Sequence, residues 1–136
     1  MKGDRVLISR NKAEIVVDGD KLKGIVFFII IEYFFFINLI HQTSIVHKSA
    51  RLGKGIVLCP FTYVFDNASI DDYVLFNVGT GAGHDAKVGK YSSLMGHVEL
   101  CGHVEVGKEC FFGSGARVLP SGKVGDNAFE IGRAHV

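Results

Sequence analysis

Every sixth residue from Ile40 onward is apolar: Ile40, Val46, Leu52, Leu58, Val64, Ile70, Phe76, Ala82, Val88, Leu94, Leu100, Val106, Phe112, Val118 and Val124. With 48% of the chain hydrophobic, an unbroken run of this length in one phase has a chance probability on the order of 10^-5, before allowing for the choice of phase. The residue two places earlier is mostly small or β-branched, as at Ser44, Ala50, Thr62, Ala68, Thr80, Ala86, Ser92, Cys110, Ala116 and Ala128. Both positions can then face a narrow interior. A period of six fits neither the three-to-four spacing of a helix stripe nor strict strand alternation. It predicts short strands joined by corners.

A larger period is superimposed. Gly53, Asp71, Gly89, Gly107 and Gly125 fall eighteen residues apart, each directly after an inward apolar residue. Three hexads therefore make one coil, and glycine or aspartate at this place is expected to supply a left-handed corner. From Ile40 to Phe129 there is room for five coils. At strand spacing they stack to a height of roughly 24 Å. This is the pattern of an all-β parallel β-helix.

The flanks differ from this middle. Ile25 to Ile40 is a run of sixteen mostly apolar residues interrupted by Glu32. A membrane span needs about 20, and Phe and Ile favour strands, so one or two buried strands are predicted. Residues 1–38 lack the repeat and are expected to be the remnant of an α/β domain or sequence from a misplaced start. Residues 39–129 form the β-helix. The next inward position should be residue 130, and it is Glu130. Ile131 to Val136 with a stop can be written ATC GGA AGA GCA CAC GTC TGA, which resembles a common short-read sequencing adapter. Residues 130–136 are therefore expected to be a non-native tail, and His135 carries no functional weight.

At 136 residues with 21% charged side chains, the chain is one domain's worth of folding sequence, which excludes disorder. Fifteen Lys and Arg against fourteen Asp and Glu leave a net charge of +1, so a nucleic-acid partner is not expected. The three cysteines, Cys59, Cys101 and Cys110, form no Cys-x-x-Cys pair. That argues against a disulfide framework or zinc knuckle and for a reduced, cytoplasmic setting. No secretory signal is evident at Met1 to Arg5, and no membrane association is expected.

Four stretches carry a family likeness: Leu39 to Val46 (LIHQTSIV), Asn77 to Asp85 (NVGTGAGHD), Cys101 to Gly107 (CGHVEVG) and Gly113 to Pro120 (GSGARVLP). They resemble the hexapeptide-repeat acyltransferases, whose parallel β-helix is left-handed. The likeness is nearest to sialic acid O-acetyltransferases and bacillosamine-type nucleotide-amino-sugar N-acetyltransferases. Two places depart from the family pattern: Gln42 stands where a proline is usual, and Met95-Gly96-His97 where proline and glycine are frequent. The resemblance implies a homotrimer with sites between chains, acetyl-CoA as co-substrate, and an amino or hydroxyl group of a sugar or sugar nucleotide as acceptor. Full-length members carry a small α/β domain in front of the helix.

His84 lies two places past inward Ala82, so its side chain should emerge at a corner. A neutral imidazole there can take a proton from an amine or hydroxyl as it attacks a thioester, with Asp85 orienting the ring. By resemblance His84 aligns with the family's general base and Asp85 with its acidic partner, while Asn77 matches a position near the acceptor. Gly102, eighteen residues after His84, should stack above it and offer an N–H to the thioester oxygen. Ser93 and Ser114 match coenzyme-contacting positions. No cysteine sits beside His84, so direct transfer is expected. Two other readings remain open. One is a zinc carbonic anhydrase of the left-handed β-helical kind, whose histidine spacing is not reproduced. The other is a non-catalytic β-helix serving assembly. His41 and His47, like His97 and His103, are six apart and belong to successive faces, so no metal site within one chain is expected.

Overall fold

The structure is a computed structural model that describes residues 4–8, 13–17 and 37–132. From Leu39 the chain runs through two- and three-residue strands separated by four- or three-residue corners. The strands are β3 (Leu39–His41), β4 (Ile45–Val46), β5 (Arg51–Leu52), β6 (Val57–Leu58), β7 (Tyr63–Val64), β8 (Ser69–Ile70), β9 (Leu75–Phe76), β10 (Gly81–Ala82), β11 (Lys87–Val88), β12 (Ser93–Leu94), β13 (Glu99–Leu100), β14 (Glu105–Val106), β15 (Phe111–Phe112), β16 (Arg117–Val118), β17 (Lys123–Val124) and β18 (Phe129–Glu130). Every third strand pairs in parallel, and the register offset is eighteen residues throughout, as in Leu94↔Phe112 and Val88↔Val106. Three sheets result. Sheet A holds β3, β6, β9, β12, β15 and β18; sheet B runs β4 to β16; sheet C runs β5 to β17. The five-coil parallel β-helix expected from the hexads is what forms, with no helix among the described residues.

Each inward position points into the triangular interior. Leu58, Phe76, Leu94 and Phe112 form one buried column, Val64, Ala82 and Leu100 a second, and Ile70, Val88 and Val106 a third. Size is balanced within a coil, since Phe76 shares its level with Ala82. The positions two places earlier close the core, and their polar members are satisfied across coils. Thr80 Oγ1 donates to Met95 O at 2.6 Å and accepts from Val98 N at 3.2 Å. Ser92 Oγ donates to Gly107 O and accepts from Cys110 N, both at 3.1 Å. Asn38 does the same at the first coil, with Gly53 O at 2.7 Å and Ile56 N at 2.9 Å. No buried side-chain nitrogen or oxygen lacks a partner among the described residues, as a core of this dielectric demands.

The corners correct one expectation. The left-handed residue is not in the Gly53, Asp71, Gly89, Gly107 and Gly125 column but two places later, at Gly55, Tyr73, Tyr91, Glu109 and Asn127, with φ between 56° and 68°. Side chains as bulky as Phe61, Tyr73 and Tyr91 adopt it, each at a cost on the order of 1 kcal/mol. Their N–H groups offset this by bonding to the coil below, as Tyr91 N does to Asp72 O at 3.1 Å and Glu109 N to Lys90 O at 2.8 Å. Glycine is favoured in the earlier column for a different reason: a Cβ on Gly89 would stand 2.6 Å from the carbonyl carbon of Gly107 on the next coil.

At one end, β1 (Asp4–Ile8) pairs antiparallel with β3, and β2 (Ala13–Val17) pairs antiparallel with β1, so the parallel edge of sheet A is covered there. The strand expectation for residues 25–36 lies outside the described residues. At the other end, Glu130 takes the inward register opposite Phe112 but is exposed, and its carboxylate accepts from Gly132 N at 3.2 Å. The outer faces differ in character. Sheet C presents Arg51, Ser69, Lys87, Glu105 and Lys123, whereas sheet B and its corners expose Ile45, Phe61, Phe65, Val78 and Leu119.

Because Leu94 is fully buried at mid-height, Leu94→Ala should cost about 2–5 kcal/mol. Outward Lys87→Ala should change stability by less than about 0.5 kcal/mol. Chemical denaturation of both variants checks the inward assignment.

Candidate active site

The corner between sheets B and C stacks Phe65-Asp66-Asn67, Gly83-His84-Asp85, Cys101-Gly102-His103 and Leu119-Pro120-Ser121 on successive coils. His84 is exposed there, one residue past Gly83, which follows β10. Asp85 is the left-handed residue of its corner, with φ 57°, and its N–H is anchored to Asp66 O at 2.8 Å. That backbone brings the two adjacent side chains together: His84 Nδ1 and Asp85 Oδ2 lie 2.9 Å apart.

The hydrogen bond from His84, foremost, holds the Asp85 carboxyl below its ordinary value of 3.8, with the nearby imidazoles and a bond to Asn67 acting in the same direction. Asp85 is therefore a carboxylate at neutral pH and can only accept, which assigns the His84 proton to Nδ1 and leaves the lone pair on Nε2.

That lone-pair atom lies against Gly102. A Cβ built on Gly102 would collide with His84 Nε2 and stand 2.6 Å from its Cε1. Gly102 O accepts from Ser121 N at 2.9 Å, while the Gly102 N–H donates to no group among the described residues. Gly83 contributes to this opening, because a Cβ on it would stand 2.8 Å from Gly102 N. A proton acceptor and an uncommitted backbone donor thus share one rim. Such a pair can deprotonate a nucleophile and stabilise an oxyanion formed beside it.

His103, eighteen residues above Asp85, also joins the cluster. Its Nε2 is 3.9 Å from Asp85 Oδ2, and its ring meets that of His84 edge-on at a centroid distance of 4.9 Å. Asn67, eighteen residues below Asp85, was not singled out at all, though the same stacking rule points to it.

The remaining sequence candidates lie elsewhere on the chain. Asn77 follows β9 in the corner between sheets A and B, where its Oδ1 accepts from Val78 N at 2.7 Å and braces the turn. Ser114 is exposed two coils above in that corner, close to Gly96. Ser93 is in β12 on the outer side of sheet A, between Leu75 and Phe111. Within one chain, then, His84, Asp85 and Gly102 come together, and Asn77, Ser93 and Ser114 do not join them.

No family model matches the sequence. Similar folds are found among solved structures. The acetyltransferase domain of PglB from Neisseria gonorrhoeae FA1090 superposes with a TM-score of 0.69 at 24% identity, over 79% of this chain and 52% of that one. The same domain in complex with acetyl coenzyme A gives equal values. PerB from Caulobacter crescentus, in complex with CoA and GDP-perosamine, superposes with a TM-score of 0.70 at 24% identity, over 89% of this chain and 69% of that one. The chain spans about half the length of the PglB domain. Its stacked coils therefore have the parallel β-helix fold of the PglB acetyltransferase domain and of PerB.

Proposed function

We propose that the chain carries the β-helix part of an acetyltransferase that moves an acetyl group from acetyl-CoA to an amino or hydroxyl group of a sugar or sugar nucleotide. The observation that carries this reading is the His84–Asp85 pair, 2.9 Å apart, with Nε2 packed against Gly102, whose N–H has no partner among the described residues. In the reaction, His84 Nε2 accepts the proton of the acceptor amine or hydroxyl as its nitrogen or oxygen bonds to the thioester carbonyl carbon. The carbonyl oxygen gains negative charge and is met by the Gly102 N–H. Collapse breaks the carbon–sulfur bond, and the imidazolium returns its proton to the departing thiolate, giving the acetylated sugar and coenzyme A. Asp85 holds the Nδ1 proton in place and stabilises the imidazolium. The presence of acetyl coenzyme A in the PglB complex and of CoA with a nucleotide sugar in that of PerB favours these substrates.

The separation of Asn77, Ser93 and Ser114 from His84 favours a site completed by a second chain. In that arrangement Asn77 contacts the acceptor, and Ser93 and Ser114 contact the coenzyme. The exposed apolar side chains of sheet B favour self-association, which we assign to a homotrimer, with the left-handed coil of the resembled family. Three free cysteines accord with a reducing, cytoplasmic location. No helix among the described residues is long and apolar enough to cross a membrane.

Release of coenzyme A from acetyl-CoA in the presence of an amino-sugar nucleotide is the direct assay. His84→Ala should lower kcat by about 10^2- to 10^4-fold. Gly102→Ala should lower it by about 10^2- to 10^3-fold, by displacing the imidazole and the oxyanion donor together. Coenzyme release that survives His84→Ala would end the base assignment.

The Asp85 carboxyl, followed by NMR, should titrate below 3.8 and move up toward that value in His84→Ala. Since the folded value is depressed, the stability contributed by the pair is present above the unfolded carboxyl's pKa and is lost as pH falls through the folded one. An unchanged titration in the variant would show that the imidazole does not hold the carboxylate. Sedimentation should give a trimer, and Phe61→Glu combined with Phe65→Glu should shift it to monomer. A wild-type monomer at all accessible concentrations would refute the trimer.

A further inference from the structure

Asp85 is shared by two histidines, only one of which the proposed reaction uses. Ligand atoms of His84, Asp85 and His103 all lie within 4.8 Å of one another, and among the described residues this is the group of His, Cys, Asp or Glu side chains that meets this condition. We propose that these three residues form a binding site for a divalent transition-metal cation, with Zn2+ the ion that fits, and that the bound ion silences His84 as a base.

Two imidazole nitrogens and one carboxylate oxygen are a donor set suited to zinc, whose bonds to such atoms are about 2.0–2.2 Å long. Two atoms bound to one such ion stand at most about 4.2 Å apart. The three side chains are already near that limit, with His84 Nδ1 at 2.9 Å and His103 Nε2 at 3.9 Å from Asp85 Oδ2. Both imidazoles are exposed, so small side-chain rotations suffice to close the set. The coil spacing supplies the geometry: His84 and Asp85 are adjacent on one corner, and His103 is one coil above. The histidine pairs spaced six apart, on successive faces, have no equivalent convergence. His47 Nδ1 meets Asp66 Oδ1 at 3.1 Å, but no third ligand among the described residues joins them.

Occupancy would act through the tautomer. With Asp85 as its partner, His84 carries its proton on Nδ1 and keeps a lone pair at Nε2. A metal ion on Nδ1 takes that lone-pair position instead, so the one proton of the neutral ring must reside on Nε2. Nε2 then donates toward the Gly102 rim and can no longer accept a proton. The inhibitory consequence rests on the acetyl-transfer reading; the ion site does not.

Equilibrium dialysis of the full chain against zinc chloride should find one saturable zinc per chain. His103→Ala and His103→Gln should each weaken binding by about tenfold or more, with the circular dichroism of the fold unchanged. Absence of saturable zinc, or affinity unaltered in both variants, would overturn the site. Nitrogen NMR of the imidazoles reads the second half of the proposal without an enzyme assay: zinc should convert His84 Nε2 from an acceptor to a protonated nitrogen. An Nε2 that stays unprotonated in the zinc-loaded chain would overturn the silencing. Loss of acetyl transfer in the zinc-free chain, with both zinc signatures intact, would instead refute the proposed reaction and leave the site standing.

Discussion

The stacking of residue n on residue n+18 is the constraint from which the rest of this molecule follows. Each coil has too few residues to bury its own apolar side chains, and its strands of two residues form no hydrogen bonds within the coil. Both needs are met by the neighbouring coil. The inward columns pack vertically, and the backbone bonds run from coil to coil, as from Ser93 N to Cys110 O at 2.8 Å and from His103 N to His84 O at 2.9 Å. A single inserted residue would turn the inward side chains that follow it outward and break the ladder at the same point. The register can hold only if the corners keep their length.

Corner geometry is therefore where the fold spends conformational energy. A left-handed residue at every corner position from Phe61 to Asn127 is unusual for side chains of this size. It persists because the N–H of that residue bonds to the coil below. The proposed chemistry uses the same device. Asp85 takes the left-handed position for reasons of coil closure, and its carboxylate meets the ring of the preceding residue as a result. The exposed corner costs the core nothing, so a titratable pair can be accommodated without burying charge.

The repeat was legible because an inward position tolerates only apolar or small side chains, and fifteen such constraints leave a visible trace. The vertical neighbours of His84 were legible by the same arithmetic, which located Gly102. The corner conformation was misplaced because glycine occurs for two reasons that sequence does not separate: positive φ, as at Gly55 and Gly79, and close backbone approach, as at Gly89 and Gly107. The place of His103 over Asp85 follows from the same arithmetic, but the edge-on contact of its ring with His84, nineteen residues away, does not. The dispersal of Asn77, Ser93 and Ser114 from His84 was invisible in a linear motif. Seven residues read as proximity, yet they carry the chain past a full sheet strand to the next corner.

Gly83, His84 and Gly102 show why so simple a scaffold can hold a reactive site. The two glycines lie on successive coils, and the missing side chain of Gly102 makes room for His84 while that of Gly83 makes room for the Gly102 backbone. A Cβ on Gly102 would occupy the place of the imidazole, and a Cβ on Gly83 would crowd the Gly102 nitrogen. The imidazole can therefore pack against the Gly102 backbone, whose N–H has no partner among the described residues. Neither glycine adopts a positive φ, so their requirement is spatial and not conformational. A Cβ on Gly102 meets only the movable imidazole, whereas one on Gly83 meets backbone of the next coil, so the first substitution should disturb the rim and the second the stacking itself. The corner itself runs between sheet B, where exposed Ile45 and the corner residues Phe61, Phe65, Val78 and Leu119 stand beside the Glu99–Arg117 pair, and the charged face of sheet C. A second chain laid on sheet B would wall in His84 from one side and leave the sheet C side open to solvent.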